Sequence, residues 1–141
     1  MITITHQGNV LAMIIPADYH AEGIHFFTPD DFSQQMAYMH HSTGHLIAPH
    51  FHNKISRKVF YTQETLFIRK GKLEVDFYDD MQNYLKSYVL NAGDVILLAS
   101  GGHGFTVLEE LEMIEIKQGP YTGRQDKTRF ISTKETNDSS Q

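Results

Sequence analysis

Cysteine is absent from the 141-residue chain. Neither a disulfide framework nor a thiolate metal site can be built from it. Tryptophan is absent too, and proline occurs only four times. The longest apolar runs are VLAMII at 10–15 and VILLA at 95–99, far short of the ~20 residues that a membrane-spanning helix requires. The opening MITITHQGN has no basic stretch leading into a hydrophobic block, so no secretory signal is expected. Cations are few, with 12 Lys and Arg against 17 Asp and Glu and a net charge of −5. That balance argues against general nucleic-acid binding and against attachment to an anionic membrane. The expectation is a soluble, cytoplasmic protein whose partner is a small-molecule ligand.

What remains is ordinary globular composition, 40% hydrophobic and 21% charged, which excludes disordered, collagen-like and coiled-coil chains. The length suits one domain at the usual ~100–200 residues, and the one unusual count is nine histidines. Short segments rich in Val, Ile, Tyr, Phe and Thr recur with a period of two between Gly, Asn and Asp punctuation. ITITH and VLAMIIP flank Gly8-Asn9 and read as a hairpin. TPDDF at 28–32 reads as a Thr-capped single helical turn with Pro at its first position. Strands are expected at 34–42, 46–53, 57–63, 64–71, 72–78, 83–90, 94–100, 104–108 and 111–118, with a hairpin turn at Asp79-Asp80-Met81-Gln82. Short strands in this number and at this regular spacing are the signature of a sandwich or barrel. Residues 119–130 read as an irregular return in which Tyr121 and Phe130 can pack, and 131–141 as a polar, mobile tail.

Chemistry concentrates in two stretches. In GHLIAPHFH (44–52), His50 and His52 fall on one face of an expected strand, shared with Leu46 and Ala48. Two imidazoles on an apolar wall are costly unless something satisfies them, and a metal ion does so directly. The competing reading is one surface histidine and one bonded to a backbone carbonyl. Glu64 shares its face with Leu66 and Ile68. A carboxylate in phase with branched aliphatics needs a cation, either a metal or one of Arg57, Lys58 and Arg69. Further on, glycines at 101, 102 and 104 surround His103 and let the backbone aim its ring. Three imidazole nitrogens and one carboxylate oxygen suit a divalent Fe, Mn, Ni, Co or Zn ion. In six-coordinate geometry they leave two positions open.

These residues carry a resemblance to the cupin superfamily. Its first motif runs Gly, five residues, His-x-His, a few residues, Glu, six residues, Gly, and resembles Gly44, His50, His52, Glu64 and Gly71. Its second runs Gly, five residues, Pro-x-Gly, two residues, His, and resembles Gly93, with Asp94 following, then Gly101 and His103. The departures are the eleven residues between His52 and Glu64, Ala99 in place of Pro, one residue between Gly101 and His103, and Val107 where the pattern ends in Asn. The long interval is expected to hold an extra hairpin at 53–63. The resemblance spans about 34–117.

The resemblance implies an all-β double-stranded β-helix, a jelly-roll barrel forming a single domain over 1–130. It implies His50, His52, Glu64 and His103 as metal ligands, one divalent transition metal per chain, and a homodimer paired through the N-terminal strands. It leans toward an enzyme of metal-dependent oxygenase or isomerase type acting on a small polar metabolite. The alternatives are a metal-independent sugar-nucleotide isomerase or epimerase, with Tyr38, His41 and Tyr61 as acid–base or substrate-binding groups, and a non-catalytic ligand- or metal-binding barrel. His6, His20 and His25 read as surface residues, and His45 is out of phase with His50. One of His40 and His41 is expected to face the interior beside Tyr38 and Met36.

Overall fold

The chain opens with two short alternating segments, β1 (Ile2–His6) and β2 (Asn9–Ile15), paired antiparallel. In this computed structural model, which describes residues 1–135, the turn between them is Gln7-Gly8, at φ 48° and 80°. Two successive positive φ values match the right-handed twist of the flanking strands. Asn9 is thereby freed to pair with His6, so the turn sits one residue earlier than Gly8-Asn9.

Six further strands follow: β3 (Gly23–Phe26), β4 (Ala37–His40), β5 (Glu64–Tyr78), β6 (Tyr84–Asn91), β7 (Val95–Leu98) and β8 (Gly102–Lys117). No α-helix occurs among the described residues; a 3-10 turn at Gly123–Asp126 is the one helical element there. No helix among them is long and apolar enough to cross a membrane. The fold is all-β, as the alternation implies. β3 and β4 form a small separate ribbon, and the other six strands form one antiparallel sheet that curls into a half-barrel. β7 borders the first part of β5 and β6 its second part, while β8 runs along the whole of its other edge.

The central finding is that β5 is one strand of 15 residues where the sequence reads as two. Its buried face carries Glu64, Leu66 and Ile68, then shifts to Leu73, Val75 and Phe77. A change from even to odd positions requires an inserted residue, because side chains alternate strictly along a strand. The register against β8 shifts between Ile68 and Leu73. Gly71 sits there at φ 86°, where a Cβ would lie 2.1 Å from the Glu110 carbonyl oxygen. Arg69-Lys70-Gly71-Lys72 is thus a bulge inside a strand and not a turn between two. β8 likewise joins the two strands expected at 104–108 and 111–118.

Ile4, Leu11, Ala12, Ile14, Leu90, Ile96 and Leu98 complete the core around that face. Burying each of the larger side chains stabilises the fold by ~1.5–3 kcal/mol. The N-terminal hairpin spends its apolar face inside its own chain, through Ile4, Leu11, Ala12 and Ile14, and joins the sheet through β2 and β7. Asp94 fastens this seam, its carboxylate accepting from the Ala17 and Asn91 amides at 2.8 and 2.7 Å.

Three local expectations come out differently. At 28–32 the chain makes a single turn closed by the Phe32 amide on the Pro29 carbonyl at 3.1 Å, not a helical turn. Thr28 donates its hydroxyl to Gln35 and accepts from the Met36 amide. The strands expected at 46–53 and 57–63 do not form, nor does a hairpin at 53–63; residues 46–61 pair with no strand among the described residues, and 42–61 are exposed throughout. At the C-terminal end, Phe130 packs edge-on against Tyr78 at 5.1 Å, while Tyr121 is exposed. Ser132 bonds the Tyr78 hydroxyl at 2.7 Å and Lys134 reaches Glu74 and Asp76 at 2.5 and 2.8 Å. The rest of the expected mobile tail, 136–141, lies outside the described residues.

Gly71→Ala is expected to cost about 2 kcal/mol or more, since positive φ and a backbone clash coincide there. Urea unfolding measures this, and an unchanged midpoint would mean that the ribbon bends elsewhere.

Candidate functional site

Curling of the β5–β8 ribbon creates the site. In the register of these strands Phe77 faces His103, while Glu64 faces Lys117, thirteen positions back along β5. Laid straight, that separation is on the order of 40 Å at ~3.3 Å per residue. Instead the His103 Nε2 lies 3.2 Å from the Glu64 carboxylate. The short path through β7 helps, because Leu98 pairs beside Glu64 and the chain then turns at 99–102 into His103. Gly101 makes that turn at φ 70°, where a Cβ would press to 2.7 Å on the Tyr78 carbonyl oxygen.

Glu64 is 8% exposed and points, as expected, to the same side as Leu66 and Ile68. The hydrogen bond donated by His103 is the main reason that its carboxyl sits below the ordinary value of 4.5. Burial opposes this, and the charges of His103, Lys127 and Lys117 add to it. Together the pair lines a wide, open cleft with Tyr61, Tyr78, Lys127 and Arg129. Two of the four expected ligands, one from each motif, are therefore in contact. None of Arg57, Lys58 and Arg69 is the Glu64 partner.

His50 and His52 lie elsewhere. Their rings are 5.4 Å apart on the exposed segment, and neither lines the cleft. The His50 Nδ1 is 2.9 Å from the Ala48 carbonyl oxygen. A carbonyl only accepts, so Nδ1 is the donor, and in the neutral ring this leaves the lone pair on Nε2, the form that a metal binds. The donor types fit a divalent ion, but one chain does not bring the four together. Gln63 is no substitute ligand: its amide oxygen accepts from the Ser33 hydroxyl and the Gln34 amide, both at 3.0 Å.

Tyr38 and His41 are also outside the cleft. The Tyr38 hydroxyl is 3.3 Å from His20 Nδ1, and His41 stacks on His45 at 4.3 Å. Tyr61 alone of the three expected substrate-binding residues lines the cleft. The sequence reading missed an exposed cluster of His20, Glu22 and His40, in which Glu22 lies 3.6 Å from His20 and 3.1 Å from His40. It exists because Gly23 pairs with His40, a register that no local pattern reveals. Lys127 and Arg129 were missed too, as they lie beyond the strand pattern.

No family model, no curated protein and no solved structure matches the chain.

The depressed Glu64 value means that its ionised form stabilises the fold. That contribution is complete above the ordinary carboxyl value and is lost as pH falls through the lower folded value. In His103→Ala the Glu64 carboxyl should titrate at higher pH than in the wild type, and the acid-side loss of stability should shrink. Carbon-detected NMR titration checks this, and an unmoved Glu64 would refute the His103 hydrogen bond as its cause.

Proposed function

We propose that the chain is a metal-binding cupin, a small jelly-roll barrel of the double-stranded β-helix type that acts on a small polar metabolite. Its ligands are His50, His52, Glu64 and His103, and its ion is a divalent Fe, Mn, Ni, Co or Zn. The observation that carries this reading is the 3.2 Å contact between Glu64 and His103. Each belongs to a separate sequence motif, and the curl of the sheet sets them side by side in an open cleft. An ion held there would supply Lewis-acid polarisation of a bound oxygen. The chain's own residues have definable work: Glu64 orients the His103 ring, while Lys127 and Arg129 present positive charge to a carboxylate or phosphate on the ligand.

A second reading has its own support. A histidine oriented by a carboxylate is also the arrangement of a general acid–base pair, and in one chain the pair is complete without His50 and His52. On that reading His103 moves the proton, Tyr61 lines the same cleft, and the reaction is a metal-independent isomerisation or epimerisation of an anionic sugar derivative.

Elemental analysis by plasma mass spectrometry separates the two. The metal reading expects about one divalent ion per purified wild-type chain. His50→Ala or His52→Ala should remove it while circular dichroism stays unchanged, because both side chains are exposed. Glu64→Gln should weaken affinity more than His45→Ala. A wild type that stays empty after reconstitution would sink the metal reading and leave the acid–base pair.

A further inference from the structure

The unpaired segment and the unpaired edge of the sheet belong together. Residues 42–61 are exposed without exception, yet they include Leu46 at 89%, Phe51 at 85% and Phe60 at 86% exposure, with Ile47, Ile55 and Val59 beside them. Apolar patches on this scale mark interaction sites. Between 46 and 60, among the described residues, the hydrogen bond of His50 to Ala48 is the one formed, so the backbone there has donors and acceptors to offer another strand. β8 has the same property in reverse. It pairs with β5 on one side and, among the described residues, with nothing on the other. Phe105, Val107, Leu108, Met113, Ile114 and Ile116 are exposed along it. A long, apolar open edge is a template for another strand.

Charge selects the occupant. The segment carries Lys54, Arg57 and Lys58 and no acidic residue between 46 and 60. β8 carries Glu112 and Glu115 in addition to Glu109 and Glu110, which pair with Lys72 and Lys70 of β5. The lengths agree as well, since the edge is 16 residues long. Among the described residues a single copy leaves both features unused, whereas two copies related by a two-fold axis consume both β8 edges and both arms in a closed pair. Six apolar side chains on each of two arms, at roughly 100–200 Å² apiece, exceed the ~1,000 Å² expected of a stable interface.

We infer that two copies exchange the 46–60 arm, each laying it along the β8 edge of the other, and that each arm carries His50 and His52 to the partner's Glu64–His103 pair. The metal site is then shared between chains. This rests on the metal reading above and accounts for why one chain assembles only half of the ligand set. It differs from pairing through the N-terminal hairpin, whose apolar face is already spent inside its own core.

The test uses the full-length chain, cobalt(II) as the probe, and light scattering after gel filtration. The wild type should be a dimer that takes one cobalt per chain, and Phe51→Asp with Phe60→Asp should convert it to a monomer. The variant His50→Ala/His52→Ala and the variant His103→Ala should each take none. Mixed by co-refolding with separate tags, the hetero-dimer should regain one cobalt per dimer, since one of its two sites is intact. A monomeric wild type would overturn the exchange. A wild type that takes cobalt while the purified hetero-dimer stays empty would overturn the sharing and place the arm on its own β8. A dimer, lost in the Phe51/Phe60 variant, that takes no cobalt would overturn the shared metal site together with the metal reading.

Discussion

The close approach of the Arg69-Lys70-Gly71-Lys72 bulge to β8 is the constraint on which the rest depends. Only glycine can sit with the Glu110 carbonyl where a Cβ would be and adopt φ 86° as well. The bulge switches the buried face of β5 from even to odd positions and lets the β5–β8 ribbon bend. A straight ribbon would hold Glu64 and His103 tens of ångströms apart. A bent one closes on itself and presses them into contact. Core, curvature and site therefore share one cause, and Arg69, Lys70, Glu109 and Glu110 are all exposed at the bend. Lys70 and Lys72 reach Glu110 and Glu109 across it, both at 2.7 Å.

That geometry gives the Glu64–His103 pair two possible chemistries. As a hydrogen-bonded pair it holds a carboxylate in its charged form against the opposing effect of burial. As half of a ligand set it offers one oxygen and one nitrogen at the wall of a cleft lined by Lys127 and Arg129. What decides between them is where the exposed arm lies, because His50 and His52 travel with it. Its solvent-facing phenylalanines and the bare edge of β8 are two sides of one energetic problem. Uncovered apolar side chains and unpaired backbone groups both favour association.

Several readings were legible because they depend on nearest neighbours along the chain. The period of two located β1, β2, β6 and β7, and placed Glu64 in phase with Leu66 and Ile68. The hairpin at 79–82 was legible because Asp79 accepts from the Met81 and Asn83 amides, both at 2.9 Å, a local device that Asp brings to turns. Gly71 was misleading for the same reason. A glycine flanked by lysines and arginine looks like the end of a strand, and only the approach of Glu110 from a distant strand makes it a bulge. The segment 46–60 shows the converse, for its alternation and β-branched content resemble a strand, but a strand exists only where another edge accepts it.

The amino-acid order by itself determined the all-β class, the faces of the strands and the chemical types able to bind a ligand, since these follow from side-chain period and donor chemistry. The tertiary structure alone decided which of those groups meet. Contact between residues 64 and 103 arises from sheet curvature, the cluster of His20, Glu22 and His40 from strand register, and the distance of His50 and His52 from that pair from an arm that no edge among the described residues accepts. Curvature, register and edge pairing are set by contacts between segments far apart in sequence, such as that of Gly71 with Glu110, and a local pattern alone does not reveal them.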